Sequence, residues 1–411
     1  MWTMPRRARL SGSAILLALA GCLAPLPAAA HAPPACSGPL RPPQPAPTGT
    51  PWPQQRYDQR RLAPLADGHG VIVAVIDSGV DARHPQLRGA VQSGTDQLDG
   101  GGSVLDCVGH GTGVAGIIAA RPAGGVTFRG LAPAATILAL RVSELIELED
   151  GTTAGRRGTA AGLAAAIRDA VGRGAKVINL SLVSYRDEPE VREAVRFAIS
   201  RDVVLVAAAG NRFEEGNPTP YPAAYDGVVG VGAIDPDGRR VPSSQTGPHV
   251  DLVAPGAQIV TTATPQGLTV ADGTSFAVPF VAATAALLRQ YRPELSAAEV
   301  AAQLTATADG GSAGPGYGKG VLNPYRALTE RVGASPKPAG PAQAPARDDA
   351  AVAARAAAEH RTLLLGGAGL ALVSLLALAV IVLPRGRRRA WRPGVRDRAA
   401  PTSGPPPVPP R

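Results

Sequence analysis

The chain has 411 residues, 45% hydrophobic and 18% charged, a composition that allows a buried core and excludes wholesale disorder. Lysine and arginine number 41 against 32 acidic residues, for a net charge of +9. Eleven of those arginines lie within the first nine residues and within 384–411, so the middle is near neutral and the basic balance does not argue for a nucleic-acid partner. Three cysteines, Cys22, Cys36 and Cys107, are too few for a disulfide-stapled mini-domain and have no CxxC spacing, so neither a metal nor a cofactor is expected.

Residues 1–30 read as a signal peptide. An arginine-rich start leads into the apolar run Ala14–Ala20, and Ala28-Ala29-Ala30 suits signal-peptidase cleavage. Leu19-Ala20-Gly21-Cys22 also fits a lipobox, which would acylate Cys22, although a second anchor downstream makes one unnecessary. Residues 31–56 hold nine prolines; with so many missing N–H donors, this stretch is an extended arm rather than a packed helix or central strand. An arm of that size cannot fold as an independent inhibitory domain, and it is expected to brace the body instead.

From residue 57 to 331 strand and helix signals alternate. Val71–Ile76, Thr136–Leu140, Lys176–Leu180 and Val203–Val206 are continuous apolar runs, separated by Ala-rich helical stretches such as Gly158–Gly172 and Glu190–Ser200. Apolar strands without alternation, spaced by helices, indicate an α/β fold with a doubly wound, mostly parallel sheet covered on both faces. The charged stretch 143–157 is expected to be a mobile insertion near the cleft, open to proteolytic nicking. Residues 332–361 form an Ala/Pro-rich linker. Residues 362–383 are 22 uncharged residues, long enough to cross a hydrocarbon layer of about 30 Å, and arginines follow at once. That flank marks a cytoplasmic side, so the body is expected outside the cytoplasmic membrane, with the basic, proline-rich tail 384–411 inside.

Three segments present reactive residues where a backbone could display them. Asp77 ends an apolar strand, His110 is bracketed by glycines ahead of an apolar helix, and Ser275 opens the helix that runs to about Tyr291. A serine hydroxyl is a weak nucleophile until a base takes its proton; histidine is a base of suitable pKa, and a carboxylate fixes its tautomer. Alone, each segment is a common turn or cap. Together, in the order Asp, His, Ser, they point to nucleophilic hydrolysis. Asn211, at the end of the apolar strand Val204–Ala208, could donate to a developing oxyanion together with the backbone N–H of Ser275. Export followed by cleavage at Ala30 would leave Cys36 and Cys107 as the only thiols in an oxidising space, so a disulfide between them is expected.

The segments Val75–Asp81, Gly109-His110-Gly111-Thr112, Asn179–Leu182, Ala207–Asn211 and Gly273-Thr274-Ser275 resemble those of subtilases, the subtilisin-like serine proteases, over roughly residues 56–331. Within that group the chain is most similar to the mycosins, membrane-anchored subtilases associated with type VII secretion in actinobacteria. That likeness rests on Trp52–Arg56, Phe128–Pro133, Gly316-Tyr317-Gly318, Asn323–Leu328 and the hydrophobic C-terminal segment. The resemblance implies a serine endopeptidase with Asp77, His110 and Ser275 as triad and Asn211 as oxyanion donor. It also implies a peptide-pairing edge at Ser181 and Leu182, and an S1 pocket walled by Leu182-Val183 and by Ala208-Ala209-Gly210. Val183 stands where many subtilases have glycine, which predicts a narrower pocket. Protein or peptide substrates and a type VII secretion complex are the implied partners; the competing expectation is a structural stabiliser of such a complex in which proteolysis is dispensable.

Overall fold

A computed structural model describes residue 2 and residues 49–147, 153–310 and 314–332. The expected signal peptide, the arm up to residue 48, most of the linker, the hydrophobic segment 362–383, the basic tail, Cys22 and Cys36 lie outside the described residues. Among those that are described, no helix is long and apolar enough to cross a membrane.

Short helices α1 (Trp52–Arg56) and α2 (Gln59–Leu62) lead into strand β1 (Ile72–Asp77), followed by β2 (Val91–Asp96), helix α3 (His110–Ala119) and β3 (Thr136–Arg141). A small hairpin, β4 (Ile146–Glu147) with β5 (Thr153–Ala154), precedes α4 (Ala160–Gly172), β6 (Val177–Leu180), α5 (Pro189–Ser200), β7 (Val204–Ala208), β8 (Val228–Ile234) and β9 (Leu252–Pro255). The hairpin β10 (Ile259–Thr262) and β11 (Leu268–Ala271) then leads to α6 (Thr274–Tyr291), α7 (Ala297–Ala306) and α8 (Pro324–Thr329).

Seven strands form one parallel sheet in the order β2-β3-β1-β6-β7-β8-β9. Alternate residues of each strand face opposite sides, and both sides are apolar. Val73, Val75, Val204 and Val206 pack with α3 and α6, while Ala74, Ile76, Leu205 and Ala207 pack with α4 and α5. This two-sided burial is why the strands read as continuous apolar runs. Helix α6 is buried along nearly its whole length, from Thr274 to Arg289, so Ser275 at its start is carried by an element packed into the core. The C-terminal ends of β1, β6 and β7 sit side by side, and a crevice outside such strand ends is where an α/β sheet exposes polar groups without breaking its ladder.

The stretch 143–157 is anchored at its base by a cluster of ion pairs. Arg141, buried at the end of β3, donates to Asp96 (2.5 Å) and Asp99 (2.8 Å) and pairs with Glu144. Arg156 closes the circuit on Asp99 and Glu144, both at 2.7 Å. The two guanidiniums, Arg156 foremost, hold the Asp99 carboxyl well below the usual carboxylate range. Glu144, expected to keep the loop in water, is instead largely covered by its partners.

Candidate active site

Asp77 is the last residue of β1 and is 4% exposed. Its Oδ1 accepts from the Ser78 N–H (2.7 Å) and from His110 Nδ1 (2.7 Å), while Oδ2 is buried without a hydrogen-bond partner. His110 Nδ1 is thereby committed to Asp77. His110 is the first residue of α3, and its ring packs against Phe276, the neighbour of Ser275, with centroids 5.0 Å apart. Asp77, His110, Asn211 and Ser275 all line one cavity of about 730 Å³. The segments carrying Asp77 and His110 approach very closely: a Cβ on Gly111 would lie 2.1 Å from the Gly79 carbonyl oxygen and 3.0 Å from Asp77 Cβ, so only glycine fits after the histidine.

The orientation of the Asn211 amide follows from its partners. Its Oδ1 accepts from both the backbone N–H and the hydroxyl of Thr274, each at 3.0 Å, so the carbonyl end is fixed and Nδ2 is turned toward the cavity. Thr274 in turn accepts from the Gly210 N–H at 3.2 Å. Gly273 sits at φ +126°, and a Cβ there would lie 3.2 Å from Asn211 Nδ2 and 3.4 Å from Ser275 Oγ. One small volume is therefore bordered by the amide donor and the hydroxyl at once, and it is kept open by a residue with no side chain. Chemically, a hydroxyl, an imidazole and an amide donor share one cavity, the groups that nucleophilic hydrolysis needs.

Of the two walls expected for the S1 pocket, one reaches the cavity. Ser181, Leu182 and Val183 line it. Leu182 and Val183 make no backbone hydrogen bond among the described residues, and the chain pairs again only at Ser184 with Tyr221 (2.8 Å both ways). That leaves a short unpaired edge. Ala208, Ala209 and Gly210 do not line the cavity. Both alanines are buried in the core, and behind Gly210 stand the Gln245 amide and Tyr185, bonded to each other at 2.9 Å with Arg212 over the tyrosine ring. Val183 is half-buried; it packs against the core on the α6 side and lines the cavity as well. The cavity continues along Ser143, Leu145 and Arg157, so the clamped stretch borders it.

Several residues that shape the site were not anticipated. The Ser181 hydroxyl, read as part of a substrate edge, donates to the Ser275 carbonyl oxygen at 2.7 Å and accepts from Asn179 Nδ2 at 2.9 Å, bracing the start of α6. Thr274 locks Asn211. Asp106 is buried four residues before His110, and the Ser78 hydroxyl bonds it at 2.9 Å. Next to it, Cys107 is disulfide-bonded. No cluster of three or more potential metal ligands occurs among the described residues.

Residues 68–332 match the subtilase (peptidase S8) family model, and the chain belongs to the subtilase family. It is accordingly a subtilisin-like serine protease with the α/β fold of that family. It is 39% identical over 280 residues to a thermophilic serine proteinase of Bacillus sp. (strain AK1), an alignment covering 67% of this chain and 66% of that protein. With thermitase of Thermoactinomyces vulgaris it is 36% identical over 265 residues, covering 64% and 90%. Among solved structures it is similar to the MycP3 protease from the type VII (ESX-3) secretion system, at 31% identity and a TM-score of 0.59, covering 69% of this chain and 89% of that one.

Proposed function

We propose that the chain is an endopeptidase of exported proteins, held at the outer face of the cytoplasmic membrane by residues 362–383 and associated with a type VII secretion complex. The observation that carries the catalytic part is the 2.7 Å bond from His110 Nδ1 to Asp77 in the cavity shared with Ser275 and Asn211. In this reading Ser275 Oγ attacks the scissile carbonyl while His110 Nε2 takes its proton, and the Asp77 carboxylate stabilises the resulting imidazolium. The oxyanion forms in the volume bordered by Asn211 Nδ2 and receives a second donor from the Ser275 backbone N–H at the start of α6. His110 then delivers its proton to the leaving amine, and a water molecule repeats the cycle on the acyl-enzyme. The substrate lies extended along Leu182 and Val183, whose free main-chain groups take it as an added strand.

The secretion role is supported by similarity to the MycP3 protease and by the hydrophobic segment with its arginine flank. Cys36 is the proposed partner of Cys107, pinning the proline-rich arm beside the loop that precedes His110; peptide mapping without reduction reads this directly. The decisive experiment is Ser275→Ala in the full chain, scored for peptide hydrolysis and for new N-termini among secreted proteins. Loss of hydrolysis by about 10³-fold or more is expected. Hydrolysis within tenfold of wild type would refute Ser275 as nucleophile, whereas secretion that continues unchanged without cleavage would leave the stabilising role as the function in secretion.

A further inference from the structure

Helix α3 starts with a deficit. Its first N–H groups need acceptors from outside the helix, and an N-cap side chain normally provides them. The N-cap here is Gly109, held at φ +85°, which has no side chain to offer. Two residues from elsewhere take over the task. The Ser78 hydroxyl accepts from the Gly111 N–H at 2.9 Å, and Asp106 Oδ2 accepts from the Thr112 N–H at 2.8 Å.

Asp106 does more than cap. It is 2% exposed, and it accepts at Oδ1 from the Ser78 hydroxyl (2.9 Å), the Val108 N–H (3.1 Å) and the Gly109 N–H (2.8 Å), and at Oδ2 from the Thr112 hydroxyl (2.7 Å) as well as its N–H. Five donors converge on one carboxylate, an arrangement that fits the ionised form. Burial foremost, with the negative charge of Asp77 adding to it, pushes the Asp106 carboxyl up to about 6 against those hydrogen bonds, which leaves it ionised at neutral pH. Its partners fall on both sides of the reactive pair. Ser78 follows Asp77 just past the end of β1, while Gly109 caps α3 ahead of His110 and Thr112 lies two residues after it.

We propose that Asp106 is a positioning residue for His110: its carboxylate caps α3 from a distance, sets the imidazole against Asp77, and contributes a second negative charge toward the imidazolium formed during turnover. This rests on His110 acting as the base for Ser275. A displacement of about 1 Å in such a site costs on the order of 100-fold in rate. The charge works in the same direction, because removing a nearby anion lowers the pKa of the imidazole.

The test uses the full chain with Asp106→Asn, measuring kcat, KM and the pH profile of kcat/KM on a peptide substrate, together with thermal melting and labelling of Ser275 by phenylmethylsulfonyl fluoride. The expected result is a fall in kcat of about 100-fold with KM within about threefold, and an acid limb displaced to lower pH. A kcat within threefold of wild type, or an acid limb that stays in place while kcat and the melting temperature fall together, would overturn the proposal. If Asp106→Asn does not fold, Ser78→Ala decides, since it leaves the carboxylate and its other donors in place and removes only the hydroxyl that joins Asp106 to the Gly111 N–H. A loss in kcat of about tenfold at constant KM supports the role. An unchanged kcat overturns it, as does failure of Ser78→Ala to fold, because the network would then hold the fold rather than the histidine. Wild-type chain that is not labelled at Ser275 would instead refute the underlying catalytic reading.

Discussion

Gly273→Ala probes the oxyanion volume without replacing a proposed catalytic group. The added methyl would sit 3.2 Å from Asn211 Nδ2, tighter than ordinary contact, and 3.4 Å from Ser275 Oγ. An oxyanion hydrogen-bonded to the amide at about 2.9 Å needs that same space, so the methyl displaces it from the donor. Losing one such donor costs about 10²–10³ in kcat, equivalent to about 3–4 kcal/mol of transition-state stabilisation. The backbone effect is separate: φ +126° at position 273 is unfavourable for alanine by roughly 1–3 kcal/mol, which should appear as a lower melting temperature. Kinetics on a peptide anilide separate the two, since the oxyanion effect falls on kcat and leaves KM within a few fold. The sharper check is a cycle with Asn211→Ala. If the methyl acts by evicting the oxyanion from the amide, the second substitution has little left to remove, and the double variant should be no more than about tenfold below the weaker single one. Losses that multiply in full, or a Gly273→Ala chain with kcat within threefold of wild type, would refute the assignment of this volume.

Two further outcomes follow from the geometry. Arg141→Met should destabilise the domain by about 3–5 kcal/mol, because Asp96, nearly as buried as the arginine, loses its counter-charge; a melting temperature within 2 °C of wild type, by thermal unfolding, would contradict this. Val183→Gly should widen the pocket and raise kcat/KM for large P1 residues by about one to two powers of ten, read on peptides differing only at P1; wild-type chain that already prefers Phe or Leu over Ala would show that Val183 does not narrow it.

What could be read ahead of the structure was whatever depends on one segment at a time. Continuous apolar runs gave the parallel strands, because each is buried on both faces, and glycine-bracketed His110 and helix-opening Ser275 were visible as local exceptions to that pattern. Residues that act across segments were hidden. Asp106, Ser78 and Thr112 belong to one network only once β1 and α3 are folded together, and Thr274 matters only because Asn211, more than sixty residues earlier, follows β7 and lies beside it. The Ser181 hydroxyl was given to the substrate because edge residues usually serve that end; its bond to Ser275 became legible only when α6 was placed against β6. The ion-pair anchor at the base of 143–157 was hidden for a related reason. Its acidic residues looked solvated while Arg141 was counted as the end of a strand, whereas a buried guanidinium with several donors gathers carboxylates from wherever the chain supplies them.

Asp106 shows how the site and the fold compete. An ionised carboxylate whose pKa stands at about 6 rather than 3.8 lowers the stability of the folded chain by about 3 kcal/mol at neutral pH. The sign follows from proton binding: the folded state holds the proton more tightly, so the penalty is absent below the unfolded pKa, grows as pH rises through the window from about 4 to 6, and is complete above it. A core selected for stability alone would replace such a group with an apolar one. Here the replacement would leave the N–H groups of Val108, Gly109 and Thr112 buried without their acceptor, and each such loss is worth about 1–3 kcal/mol. The carboxylate is therefore held in place by the backbone geometry that presents His110, the geometry that the proposed mechanism requires of its base. The local instability and the reactive arrangement have the same origin, in a helix that begins at the histidine with a glycine for its cap.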